Sequence, residues 1–353
     1  MDRTAPAQTV AHDRIAAIVA GRRARHRRHA VATIVLGVLL LVLFTVALMV
    51  GNTFYPLDAV VRVILGETVP GASFTVGELR LPRAVLAILA GIAFGMAGVS
   101  FQTLLRNPLA SPDIIGISNG AGAAAVIGII VLGLDGPLVS LLALGGALVT
   151  AAAIYLLSIR GGFAGTRLIL IGIGVSLMLQ SVISYVLSRA ASWDIQTAMQ
   201  WLTGSLNSAS WERVAPLAIA ALVIVPLLLA QGRALGAMQL GDDSASGLGV
   251  RVNTTRVLCI LGAVALLAFA TAATGPIAFV AFMAGPIAAR ITGPGANLLL
   301  PSAFVGAVLV LGSDLLGQFA FGERYPVGVI TGVLGAPYLI YLLVRTNRSG
   351  GSL

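Results

Sequence analysis

Ten stretches of this 353-residue chain are apolar enough, and nearly long enough, to cross a lipid bilayer: 30–50, 82–105, 114–132, 137–159, 168–187, 214–229, 257–274, 276–291, 300–319 and 326–344. A helix rising 1.5 Å per residue needs about 20 apolar residues to cross ~30 Å of hydrocarbon. Charged residues make up only 10% of the chain and hydrophobic ones 58%, whereas a soluble domain is about one quarter charged. The expected fold is therefore all-α: a polytopic membrane protein of about ten transmembrane helices. The runs 114–132 and 276–291 are the weakest, being short and rich in Gly and Pro, and they read as partly inserted.

Arginine placement sets the expected orientation, because basic residues accumulate on the cytoplasmic side. With the N-terminus inside, sixteen of the 22 arginines fall in inner segments, among them Arg3, Arg14, Arg160 and Arg348, and six fall in outer ones. Ten spans return the C-terminus to the cytoplasm, so both termini are expected there. Residues 1–29 form an Arg-rich arm ending in Gly-Arg-Arg-Ala-Arg-His-Arg-Arg-His. A basic run can bind nucleic acid. Directly beside a span, the plainer reading is a topology anchor touching anionic lipid. A cleaved signal peptide is not expected, since the first apolar run is too long and no A-x-A site follows it. Residues 30–345 read as one transmembrane domain and 346–353 as a cytoplasmic tail. Outside, 52–81 places Leu57, Val60, Val61, Ile64 and Leu65 at helical spacing, which predicts an amphipathic helix at the interface. Segment 190–213 holds all three Trp and predicts a short interfacial helix. Segment 230–256 is the one inner connection polar enough to face a cytoplasmic partner.

Several chemistries are excluded. All 22 basic residues besides His are Arg, so the Lys of a P-loop, of a PLP Schiff base and of a protein kinase is missing. One Cys, and three His confined to the arm, leave no metal cage within the spans. Asp314 is the one acid well inside a predicted span. A single Asp is thin support for ion coupling and reads more plainly as a structural acid accepting helix-end or Ser/Thr donors. Gln102, Gln180 and Ser184, with Ser100, Ser176 and Ser181, suit a weakly polar, uncharged path, and the first three are the pore-lining candidates. Gly91, Gly95 and Gly98 share one helix face, as do Gly120, Ala124 and Gly128, which predicts close helix packing. Residues 83–91 and 256–262 resemble each other, each opening a Gly/Ala-rich helix followed by a short broken one; duplicated halves are common in transporters.

Ordered along the chain stand Leu79-Arg-Leu-Pro-Arg83; Gln102-x-x-x-Arg106-Asn-Pro-Leu-Ala-x-Pro-Asp113-x-x-Gly116-x-x-x-Gly120-Ala121; Trp201-Leu-Thr-Gly-Ser-Leu206; Gly241-Asp-Asp-x-Ala245-x-x-Leu248-Gly-Val250; Gly275-Pro-Ile-x-Phe-Val280; and Pro326-Val-Gly328-x-x-Thr331-x-x-x-Gly335-x-Pro337. Each is weak alone. The ordered set, over about 30–345, resembles the FecCD permease family, the membrane subunits of type II ABC importers for iron–siderophore complexes, haem and cobalamin. The Trp201–Leu206 stretch looks most like the ferric-siderophore, catecholate-type branch.

The resemblance implies a permease that is not itself an enzyme, in the cell membrane, paired with a second permease that is the same chain or a sister. It also implies ABC ATPase subunits carrying ATP and Mg, a substrate-binding protein, and no cofactor on this chain. Haem or cobalamin import is the near alternative, and an ion-coupled secondary carrier is the alternative from another class. Arg80 and Arg83, at the outer end of a span with only Glu78 near them in sequence, are expected to dock the binding protein, with Arg324 supplying a third positive charge. The family commonly has Arg four residues after the Asp314 position, an acid where Arg324 stands, and Pro-His where this chain has Gly285-Pro286. Here Gln318 follows Asp314. Asn107, Pro108 and Leu109 are the expected cytoplasmic gate, since Pro108 removes a donor and pushes Asn107 out of helix. Gly241, Asp242, Asp243, Ala245, Leu248 and Gly249, within 232–256, are the expected ATPase-coupling segment. There the two acids precede a short helix that offers Ala245, Leu248 and Val250 on one face.

Overall fold

The computed structural model describes residues 5–113, 115–158, 165–293, 295 and 297–348. Arg3 and Arg160, used in the charge count, and Ile114, the expected start of the third span, lie outside them, as do the side chains of Arg14 and Arg348. The described residues form helices and connections only. In order they are α1 (Ala5–Met49), α2 (Leu57–Ile64), the single turn α3 (Ala72–Phe74), α4 (Leu81–Leu104), α5 (Ile117–Ile130), α6 (Gly136–Ser158), α7 (Gly165–Ser188), α8 (Ser192–Thr203), α9 (Trp211–Ala230), α10 (Gly232–Met238), α11 (Asp242–Gly247), α12 (Val252–Thr274), α13 (Val280–Thr292), α14 (Leu299–Phe319) and α15 (Val327–Arg348). A π-helical stretch, Thr75–Arg80, feeds α3 into α4.

Among the described residues, eight helices are long and apolar enough to span a bilayer. The two weak runs are α5 and α13, of 14 and 13 residues, each about 20 Å long at 1.5 Å per residue. The sequence thus anticipates all ten positions, and the two short helices are the runs singled out as weakest, 114–132 and 276–291. Each follows a long helix after a break: α5 after α4, and α13 after α12. Predicted helices α2 and α8 also form, and α2 turns Ala59 and Val60 inward.

Helix α4 is the axis of the bundle. Its apolar window is 78% buried, against 17% for the window of α7, and α14, α12 and α13 all pack on it. The reason is local. A Cβ on Gly91 would collide with the backbone of Gly306 and Ala307, one on Gly95 with Ser302 O, and one on Gly98 with Ala281 O. Small residues let helix backbones meet where lipid offers no hydrophobic drive for association. A second convergence joins three distant motifs. Ser205 N donates to Thr274 O at 2.8 Å and Gly328 N to Gly204 O at 3.2 Å. Gly204 (φ 77°) and Gly275 (φ 73°) take left-handed turns there, pressed against Pro276 and Trp201 backbone.

The Arg-rich arm continues α1 as helix instead of hanging free. Arg28 Nε and Nη2 donate to Ile291 O (3.2 Å) and Arg290 O (2.9 Å), and His29 Nε2 donates to Asn297 O (3.0 Å). A helix end leaves carbonyls unpaired, and Arg28 satisfies two at the end of α13.

Candidate functional site

Two polar sites occupy opposite ends of α4, and a cavity lies near its Arg106 end. At the Arg83 end a pocket of about 450 Å³ is lined by Asn52, Arg80, Arg83, Asn207, Asp314 and Arg324, among others. The three arginines expected to dock a partner are here, and each already has a partner within the chain. Arg80 donates to Leu48 O and Met49 O, both at 2.9 Å, and to Thr53 O at 2.6 Å. It closes the C-terminus of α1 and stacks on Tyr55 at 5.1 Å. Arg83 grips Asp314 through two bonds, Nε to Oδ2 at 2.8 Å and Nη2 to Oδ1 at 2.7 Å, and reaches Asn207 Oδ1 at 3.0 Å. Only Glu78 stands near these two in sequence, and the partners they take lie 27 to 231 residues away. Asp314 is likewise corrected. It is a structural acid, but its donors are Arg83 and Gln318 Nε2 at 2.7 Å, not helix ends or hydroxyls. Arg324 is exposed and donates to Asn52 Oδ1 at 3.1 Å.

At the Arg106 end, α4 stops in a turn whose two bonds, Arg106 N to Thr103 O (3.2 Å) and Asn107 N to Gln102 O (3.0 Å), form a Schellman pattern. Arg106 holds the left-handed position, φ 48°. Asn107 Oδ1 then accepts from Leu109 N at 2.9 Å, which shapes the Asn-Pro-Leu turn. Arg106 Nε donates to Met238 O at 3.0 Å and its Nη2 bonds Asp242 Oδ1. Asp242 Oδ2 accepts from Arg256 Nη2 at 2.6 Å. The hydrogen bond from Arg256, with the charges of Arg256 and Arg106, holds the Asp242 carboxyl below its usual range. Two expectations for this segment are corrected. Asp242 and Asp243 do not precede the helix but form its first turn. Ala245 is fully buried (0% exposed) while Leu248 is 67% exposed, so Ala245 backs the helix and only Leu248 is offered outward. Gly241 (φ 111°) and Gly249 (φ 83°) frame α11; only glycine takes such angles cheaply.

Leu109 also lines a cavity of about 780 Å³ with Asp113, Asn119, Ser176, Gln180 and Phe279 among others. Of the pore-lining candidates, Gln180 is on its wall, and Ser184 stands exposed one turn further along α7. Gln102 is corrected: its Nε2 donates to Phe282 O at 3.0 Å, and the buried amide ties α4 to α13 instead of facing the cavity. Asp113 accepts from Ser118 Oγ at 2.6 Å, and burial pushes its carboxyl above the ordinary range. Among the described residues, no group of three or more His, Cys, Asp or Glu is placed to hold a metal.

The FecCD transport family matches residues 17–345. The chain belongs to that family. It is 40% identical to the ferric enterobactin transport system permease protein FepG of Escherichia coli (strain K12), over 81% of this chain and 87% of that one. It is 37% identical to the Fe(3+)-citrate import system permease protein YfmE of Bacillus subtilis (strain 168), over 90% and 96%. A solved metal-chelate type ABC transporter in an inward-facing conformation shares the fold, with a TM-score of 0.79 at 23% identity, over 89% of this chain and 98% of that one. This FecCD chain is accordingly a multi-pass membrane permease of an ABC transporter. Sequence reasoning missed the Arg83–Asp314 and Arg106–Asp242 pairs, because nothing local links their partners. The one legible trace was Gln318, one helical turn from Asp314.

Proposed function

We propose that this chain is the membrane-spanning permease subunit of an ATP-driven importer that moves an iron–siderophore complex from a binding protein into the cytoplasm. The family match over nearly the whole chain carries this reading, and the curated relatives named for ferric enterobactin and Fe(3+)-citrate support its substrate class. The geometry fits. One end of the bundle presents a rigidly backed short helix, α11, with an exposed Leu248, suited to an ATPase partner that binds ATP and Mg. The other end presents Arg324 above a polar pocket, suited to carboxylates on a binding protein. A second permease, this chain or a sister, completes the path beside the exposed α7 face carrying Gln180 and Ser184. Both termini and α11 then face the cytoplasm, in line with the arginine excess. A cell deleted for this chain is expected to lose uptake of labelled ferric siderophore while keeping haem and cobalamin uptake. Loss of haem or cobalamin uptake instead would overturn the substrate assignment.

A further inference from the structure

The left-handed residue that ends a helix is usually glycine, because a side chain there costs roughly 1–2 kcal/mol. At the end of α4 it is Arg106 (φ 48°). Strain kept at such a position points to a use for the side chain, and the structure shows that use. The guanidinium leaves the turn and binds two points on a segment more than 130 residues away: Met238 O, at the last residue of α10, and Asp242 Oδ1, in the first turn of α11. The other Asp242 oxygen is held by Arg256 at the start of α12. On its own chain, Arg106 is followed directly by Asn107-Pro108-Leu109, whose turn is closed by Asn107 Oδ1 on Leu109 N and whose Leu109 lines the 780 Å³ cavity. One side chain therefore spans from the segment that offers Leu248 outward to the turn that faces the cavity.

We infer that Arg106 is the positioning residue that transmits displacement of α11 to the Asn107–Leu109 turn, so that the gate follows the coupling helix. This rests on the proposed importer reading, in which α11 meets an ATP-hydrolysing partner. The link suits transmission because it is two-headed and charged, and so follows α11 as a unit. It is also half-exposed, at 45% for each side chain of the pair, so it can shift without leaving a desolvated charge behind.

The test uses the assembled transporter in liposomes with Arg106→Gly. Glycine relieves the backbone strain, so the thermal midpoint should stay level or rise and ATP hydrolysis should stay within about twofold, while uptake per ATP falls about tenfold or more, the range of a typical coupling free energy. Arg106→Lys keeps the charge but not the two-headed reach and should recover part of that loss. Wild-type uptake per ATP in Arg106→Gly would overturn the inference. So would failure of the variant to assemble with its ATPase, or a loss of uptake matched by an equal loss of folded protein. A wild-type transporter showing no ATP-dependent uptake would instead overturn the importer reading itself.

Discussion

Both ends of α4 carry an arginine–aspartate pair to a distant element, and the two pairs differ in burial. Arg83–Asp314 is nearly dry, with side chains 21% and 3% exposed, and Asp314 has a second donor in Gln318. Arg106–Asp242 is wet, at 45% for each. A buried pair resists separation, because either charge left alone meets low dielectric, whereas a half-exposed pair can shift without stranding a desolvated charge. The Arg83 end is thus a lock between α4 and α14, and the Arg106 end is a link that can move. Under the proposed importer function, the lock would sit on the binding-protein side and the movable link on the ATPase side.

The largest expected effect is at the lock. Asp314→Ala strands Arg83 and should destabilise the permease by on the order of 3 kcal/mol, whereas Arg106→Gln should change stability by less than about 1 kcal/mol. Thermal unfolding of both variants in detergent compares them directly, and equal losses would erase the distinction. Next, Leu248→Asp should cut transport more than about tenfold while the chain stays folded, since an exposed leucine buried by a partner contributes ~1.5–3 kcal/mol. Wild-type uptake in that variant would remove α11 from the partner surface. Third, Arg324→Glu should weaken binding-protein affinity by up to roughly tenfold, about 1.4 kcal/mol, an effect that fades with added salt. Unchanged affinity would take Arg324 out of docking.

The smallest effect is in pH dependence, where two acids near the Arg106 end have opposite signs. Asp242 has a lowered folded pKa. Its contribution to stability is therefore present above the unfolded value, 3.8, and is lost as pH falls through the still lower folded value. Asp113 has a raised folded pKa. Its contribution is full below 3.8 and is lost as pH rises through the folded value. Asp113→Asn should therefore flatten the decline of stability as pH rises above 3.8, measured by thermal unfolding, and leave the acid limb set by Asp242. An unaltered pH profile would contradict this sign.

The helices were legible because apolar length is a local property, and the stripe Gly91, Gly95, Gly98 marked the buried face of α4 in advance. The two short helices coincide with the two runs read as weakest, 114–132 and 276–291. The sites were legible only in part. Motifs at 79–83, 106–113 and 241–250 marked segments that carry polar contacts at the ends of α4, but Arg106 and Arg83 reach acids 136 and 231 residues away. The inward turn of Ala245 was hidden because a six-residue helix is under two turns long and shows no period to read. Arg28 looked like one more charge in a basic run, and only the placement of α13 shows it closing a helix end.

The most direct measurement of the central claim is uptake of radiolabelled ferric siderophore by liposomes containing this chain, its partner permease and its ATPase, with the binding protein outside. Uptake that requires both ATP within and the binding protein without, and that persists when ion gradients are collapsed, is the predicted result. Uptake that ignores ATP and follows a proton or sodium gradient would contradict it.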